Sequence, residues 1–388
     1  MMDDIGSPVV REGTGAGAAF RAFAARHAPR GVYPPDWNRR LAEAGYVVPH
    51  WPRPWGLDAT PAEQLEIDEV VRELRVPRPM NPIGIGWAGP TLLVAGSDEQ
   101  RARWLPGILD GSQIWCQLFS EPEAGSDLAG LATKAVRDGD EFVVNGHKVW
   151  TTLAHIARFG ILLARTDPDA PAHAGISCFV LDMHAPGIEV RPIRQITGES
   201  DFNEVFFDSV PVPESDRIGA EGEGWAVAVT TLLAERVGLT AGEGTLWGNG
   251  PRFADVLDLW RRRRDAGLLP DGAERDVLRH ELARLAIESE AIRLTGLRLL
   301  SAAARGDTPL TMISVRKLAS DVFGQEVHDA VWRLIGADAQ LTPESGRAVD
   351  GGAWQRSFLF ARALTIGGGT TEVQRTILAR RILGLPAR

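Results

Sequence analysis

The chain has 388 residues, a formal net charge of −9, 44% hydrophobic and 24% charged residues. These values describe an acidic globule and exclude disorder and collagen, because 42 Gly and 25 Pro make up about a sixth of the chain, below the roughly 25–30% that marks low complexity. At about 100–200 residues per domain, two or three structural units are expected. Cys116 and Cys178 each sit in an apolar, strand-like run and cannot build a disulfide framework, so a reducing compartment is expected. The early residues lack the charged start and apolar core of a signal peptide, and no window approaches about 18 consecutive apolar residues. The expectation is a cytoplasmic protein with no membrane partner. A net negative charge argues against nucleic acid, since phosphate neutralisation needs a clustered Lys/Arg face. The aromatic content is skewed, with 12 Trp against 2 Tyr.

From Trp37 to about Leu109 apolar residues recur at helical spacing, in WNRRLAEAGY, PAEQLEIDEVVREL, AGPTLLVAG and DEQRARWLPGIL. Asp98 before a Glu-Gln pair reads as a helix start, its short side chain satisfying free N–H groups of the first turn. The connectors PHWPRPWG and RPMNPIGIGW carry too much Pro and Gly to be helical throughout. From about Ile114 to Gly219 the period becomes two. The runs EFVVNGHKVW, FGILLAR, GISCFVLDM, GIEVRPI and NEVFFDSVPV are rich in Val, Ile and Phe and are punctuated by turns such as DGDE and NGHK. From about Gly224 the helical period returns in WAVAVTTLLAERVGL, RFADVLDLWRRRRDA, a run from Glu274 to Ala304, another from Thr311 to Ile335, and TEVQRTILARRIL. The expected division is a helical domain over 1–113, a compact antiparallel β domain over 114–221 and a helical bundle over 222–388, without internal repeats. The Arg261 to Arg264 run reads either as the solvated C-terminal end of a helix, complementing its dipole, or as a contact to a ligand phosphate.

The stretch WCQLFSEPEAGSDLAGLATKAVRDGDEFVVNGHKVWTT, from Trp115 to Thr152, resembles the flavin-binding strand and loop of the acyl-CoA dehydrogenase family. IGGGTTEVQRTILARRILG resembles the same family's C-terminal signature. The resemblance covers essentially all of the chain after Trp37. It implies an α+β fold with an N-terminal helical domain, a middle antiparallel β-barrel domain and a C-terminal four-helix-type bundle. It further implies α,β-dehydrogenation of an acyl-CoA or pantetheine-linked thioester to the trans-2-enoyl product, with FAD as cofactor and no metal. The implied electron acceptor is an electron-transfer flavoprotein, and the implied assembly is a homo- or hetero-oligomer, dimer or tetramer. The chemistry agrees with the motifs. Such a reaction needs a base for the α-proton, donors for the enolate-like oxygen and a hydride acceptor that no side chain provides. By motif position Gln117, Phe119 and Ser120 are expected at the isoalloxazine ring, Trp150 over one face and Thr152 beside N5. Gly125 and Ser126 fall where the family's loop passes the flavin phosphates and the pantetheine arm, and glycine permits close backbone approach.

The family's common base is a Glu in the C-terminal loop just before a Gly-Thr pair. Here that position is Gly368, which can offer only its backbone N–H to the thioester oxygen. Other members carry the base as a Glu directly before an Arg on an early C-terminal helix. Glu235 and Arg236 in TLLAERVGL match that motif, so Glu235 is the expected base and Arg236 a substrate contact. Leu232, Leu233, Val237 and Leu239 are expected to face the core, leaving Glu235 on a different face toward a cleft. Thr370 is expected on the flavin side. Glu372, two residues on at a helix start where dipole and capping favour a carboxylate, is expected to be flavin-side or structural rather than catalytic.

The resemblance breaks at the adenosine end of the flavin. Homotetrameric relatives complete it from a neighbouring subunit, with an Arg closely followed by Phe-Gly and a Gln shortly before Gly-Gly. This chain has RRRRDAG at the first place and Arg333 at the second. Either Arg261 to Arg264 and Arg333 take over the phosphate contacts, or a different chain completes the site, as in actinobacterial-type heteromeric dehydrogenases. Two other functions fit the fold: a flavin monooxygenase or oxidase, and a non-catalytic subunit completing a partner's flavin site.

Overall fold

The computed structural model describes residues 15–241, 252–303 and 310–386, with the side chains of 236–241, 300, 303, 310 and 311 outside the description. The described residues fall into two compact units, 15–85 with 97–114, and 86–96 with 115–386.

The first unit is helical: α1 (Ala16–His27), α2 (Trp37–Glu43) and α3 (Pro61–Glu73), followed after an excursion of the chain by a helix over Asp98–Leu109. The start of α3 is fixed by Thr60, whose hydroxyl accepts from the Glu63 N–H while the Glu63 carboxylate accepts from the Thr60 N–H, and by Pro61, whose missing donor costs nothing at a first turn. The Asp98 helix uses the same device one residue earlier than expected. Ser97, not Asp98, is its cap, paired with Gln100. Ser97→Ala should therefore lower stability by about 1 kcal/mol, read as a shift in the denaturant midpoint at unchanged slope. Helix α1 was not anticipated, since in AGAAFRAFAARH only Phe20 and Ala24 mark a strongly buried stripe among alanines. It lies close on α3 because residue 17 is glycine; a Cβ there would stand 2.9 Å from the Glu66 carbonyl oxygen.

The second unit opens with α4 (Gly89–Ala95), the excursion between α3 and α5 (Asp98–Leu109). Its sheet has eight strands: β1 (Trp115–Leu118), β2 (Lys134–Asp138), β3 (Glu141–Thr152), β4 (Phe159–Arg165), β5 (Ile176–Asp182), β6 (Ile188–Ile193), β7 (Phe202–Pro213) and β8 (Arg217–Ile218). The lateral order is β6-β7-β3-β2-β4-β5-β8, with β1 added beside β4. The sheet departs from a purely antiparallel barrel. β1 and β4 run parallel in register from Trp115↔Phe159 to Leu118↔Leu162, and β2 meets β4 in a short parallel contact. Strands β4 and β5 are buried on both faces, which is why FGILLAR and ISCFVLD read as unbroken apolar runs. Cys116 of β1 and Cys178 of β5 are buried free thiols, pushed above their ordinary pKa by burial.

The helical part comprises α6 (Gly224–Ala241), α7 (Phe253–Asp265), α8 (Gly272–Ala303), α9 (Leu310–Ile335), α10 (Ala353–Phe360) and α11 (Thr371–Ile377). Its core repeats at helical spacing: Val256 and Leu259 of α7, Leu278, Leu282 and Leu285 of α8, and Phe323, Val327, Val331 and Leu334 of α9. α10 was missed by sequence reading because it is short and begins after Gly352, which offers no capping side chain. Among the described residues no helix is long and apolar enough to cross a membrane.

Candidate active site

Helix α6 buries Val227, Ala228, Thr231 and Glu235, an i, i+4 stripe. Leu232 and Leu233 are only half-buried, so the expected orientation is reversed: Glu235 lies on the buried face, not beside it. The side chains of Val237, Leu239 and Arg236 lie outside the described residues. Thr231, one turn before Glu235, shares a 2.8 Å hydroxyl contact with Thr91 of α4; the Thr231 hydroxyl also reaches the Val227 carbonyl of its own helix, and that of Thr91 the Trp87 carbonyl in the turn before α4. This buried pair ties α4 to the wall that carries Glu235. Sequence reading missed it, because a lone Thr in an apolar helix gives no sign of its partner.

Gln117 of β1 faces the same carboxylate, its Nε2 donating to Glu235 Oε2 at 3.5 Å, a long contact. Two residues 118 apart in sequence, one expected at the ring and one expected as base, are thus brought together. Glu235 itself is 5% exposed.

Beyond β1 the chain turns sharply. Glu121 and Ala124 exchange backbone hydrogen bonds at 3.1 Å, leaving Gly125 and Ser126 exposed at the rim. A Cβ on Gly125 would meet no atom within 4 Å, so the space above this turn is open. Phe119 is buried, and only its backbone can meet a ligand. The Ser120 carbonyl accepts from the Val149 N–H at 2.9 Å, which brings the end of the β1 segment against Trp150.

Trp150 shows the strongest mark of function. A bulge between Lys148 and Thr151 puts it at φ 60, a left-handed conformation costly for a bulky residue, and leaves its ring 60% exposed beside the edge of Phe202. A strained backbone presenting a large bare indole, next to half-buried Thr152 and the open turn at Gly125, fits a planar aromatic cofactor with a phosphate tail.

The C-terminal loop is built around glycine. Gly368 and Gly369 have φ 66 and 91, and the Thr371 N–H closes the loop onto the Thr365 carbonyl at 3.0 Å. Three side chains not singled out from the sequence grip it. Gln374 Nε2 donates to the Gly368 carbonyl at 3.3 Å, Gln325 Nε2 to the Ala361 carbonyl and the Thr365 hydroxyl, and Lys317 Nζ to the Leu364 carbonyl. Lys317 also pairs at 2.5 Å with Asp321, whose carboxyl burial pushes up to about 6. The Thr370 hydroxyl accepts from the Val373 N–H as cap of α11, which leaves its proton free to donate. Glu372 is exposed in the first turn of that helix.

Four of the five arginines expected at flavin phosphates, Arg262, Arg263, Arg264 and Arg333, are engaged within the chain. Arg262 pairs with Asp258 and Asp350, Arg264 with Asp265, and Arg333 with Glu281. Arg263 is buried and donates to the Leu268 and Ile335 carbonyls, closing the C-terminal end of α9. The run thus behaves as the end of α7, where three arginines occupy the last turn.

Comparison with known proteins places the chain in a family. The family profiles described as acyl-CoA dehydrogenase N-terminal, middle and C-terminal domain match residues 16–112, 116–210 and 222–383. The chain is 36% identical over 373 residues to "Acyl-CoA dehydrogenase IpdE1" of Mycobacterium tuberculosis, covering 96% of this chain and 91% of that protein. It is 44% identical over 346 residues to "Acyl-CoA dehydrogenase FadE34" of the same organism, covering 89% of this chain but 45% of that protein, so it spans about half the length of that relative. Among solved structures, the "Tcur3481-Tcur3483 steroid ACAD" superposes with a TM-score of 0.79 at 31% identity, over 96% of this chain and 97% of that one. The "ChsE4-ChsE5 complex from Mycobacterium tuberculosis" superposes with a TM-score of 0.76 at 28% identity, over 98% and 100%. Three domain matches in chain order, together with whole-chain relatives, establish that this chain belongs to the acyl-CoA dehydrogenase family of FAD-dependent oxidoreductases.

Proposed function

We propose that the chain oxidises an acyl-CoA thioester to its trans-2-enoyl product, with Glu235 as the base. The observation that carries this reading is a carboxylate buried on α6 and faced by Gln117 of the motif strand, in a chain whose C-terminal loop has glycine at the other place a base could stand. Glu235 takes the α-proton. The Gly368 N–H, on a loop held by Gln374, donates to the thioester oxygen and stabilises its developing charge. Gln117, Phe119, Ser120, Trp150, Thr152, Thr370 and Glu372 would hold the isoalloxazine end of FAD, and Gly125 and Ser126 its phosphates, with Ser126 also toward the thioester arm. When bound, FAD supplies the hydride acceptor that no side chain offers. An electron-transfer flavoprotein is the proposed acceptor, and cytoplasm the proposed compartment. The engaged arginines support completion of the adenosine end by another chain, a second copy or a similar dehydrogenase, and the ChsE4-ChsE5 complex lends support by analogy.

The test is a panel of acyl-CoAs, straight, branched and with a steroid side chain, the last because one similar structure is that of a steroid ACAD. Turnover with an artificial acceptor is measured for the purified chain alone and coexpressed with a similar dehydrogenase. A yellow protein that reduces the dye supports the reading. Turnover accompanied by stoichiometric oxygen consumption and no dye reduction, or a colourless protein in both preparations, contradicts it.

A further inference from the structure

The proposed chemistry makes no use of an ion pair buried behind the motif strand. Lys148 is fully buried and Glu121 nearly so, with Nζ and Oε1 2.7 Å apart. Together they grip three pieces of backbone. Nζ donates to the Phe119 carbonyl at 3.0 Å, and the Glu121 carboxylate accepts from the Ala132 and Thr133 N–H groups at 2.6 and 3.0 Å. Every polar group of the pair is thereby satisfied at or next to the segment that carries the motif. Burial pushes the Lys148 ammonium down to about 8 while Glu121 holds it up. Burial would raise Glu121, but Lys148 and the two loop amides together hold its carboxyl below the ordinary range.

The grip has a consequence for the next atom along. The Phe119 carbonyl and the Ser120 N–H belong to one peptide group, and a hydrogen bond to its oxygen strengthens its N–H as a donor. The Ser120 carbonyl is taken by Val149, whereas the Ser120 N–H has no acceptor among the described residues. Lys148 also stands at the start of the bulge that turns Trp150 outward. A hydrophobic pair would brace the strand without the desolvation cost of two ions; what it would not supply is the polarised amide.

We propose that Lys148 and Glu121 are positioning residues for the flavin, fixing the Phe119–Ser120 peptide and polarising the Ser120 N–H as a donor that favours the reduced, more electron-rich ring. This rests on the reading that the motif strand carries the ring.

The test compares FAD-loaded wild type with Lys148→Met and with Lys148→Met/Glu121→Gln. FAD Kd is read by flavin fluorescence, the two-electron midpoint potential by equilibration with a reference dye, and stability by thermal melting. The single variant leaves a buried carboxylate without its cation and melts lowest; the double variant recovers most of that loss. In the double variant FAD binds at least tenfold more weakly, and reduced FAD loses a further tenfold, a potential about 30 mV more negative. The double variant carries the result if the single variant does not fold. Wild-type Kd and potential in a folded double variant overturn the proposal alone. A wild-type preparation that retains no FAD overturns the reading of the strand, and the proposal with it.

Discussion

Glu235→Gln should keep its FAD and lose its chemistry. The variant remains yellow, but an acyl-CoA that bleaches the wild type now reduces the flavin about 10²–10⁴-fold more slowly in an anaerobic single turnover. Glutamine has the same shape as the carboxylate, so the buried stripe of Val227, Thr231 and residue 235 stays packed, and Gln117 still has an oxygen to donate to. Only the capacity to take a proton is removed. The effect should fall on the reduction rate rather than on KM, because the interaction lost belongs to the transition state. Bleaching at an undiminished rate would remove Glu235 from the mechanism.

Gly368→Val tests the other half of the site. At φ 66 the backbone is in the left-handed region, and Gly369 beside it is at φ 91. A β-branched residue there costs on the order of 1–2 kcal/mol if it holds the geometry, and otherwise it moves the loop. The loop is gripped from two helices, by Lys317 and Gln325 on α9 and by Gln374 on α11, so strain is expressed at the amide it presents. Removing one oxyanion donor typically lowers kcat by about 10²–10³-fold, and that is the expected loss, with FAD affinity within a few-fold of wild type. Wild-type kcat in this variant would show that the Gly368 N–H does not touch the reacting thioester.

The layout of helices, sheet and helices was legible because the hydrophobic period changes twice, and the strands β4 and β5 announced themselves by continuous apolar runs. What escaped was set by tertiary partners. α1 lacks a strong apolar stripe of its own and is held by α3 through the Gly17 approach. The parallel placement of β1 beside β4 cannot be read from either strand, since both directions present the same side chains to the core. At the site, motif position made Gln117, Trp150 and Glu235 candidates, yet the apolar pattern put Glu235 off the buried face of α6, because the leucines looked like the better core and the Thr91 partner of Thr231 was invisible. Lys148 in NGHKVW reads as a solvated strand residue. Its burial depends on Glu121, 27 residues earlier, which in turn reads as one more charge in a surface turn. The arginines failed in the opposite sense: a dense positive run looked available to phosphate, while Asp258 and Asp350 hold Arg262 and the end of α9 holds Arg263.

Proton removal can be isolated from hydride transfer, and that measurement bears most directly on Glu235. A 3-thia analogue of the acyl-CoA that wild type oxidises can exchange its α-proton but has no β-hydride to give. Incubated with the FAD-loaded protein in deuterated buffer and followed by proton NMR, its Cα signal should disappear with wild type and persist with Glu235→Gln at a rate near that of buffer alone. Equal exchange by the two proteins would place the base elsewhere.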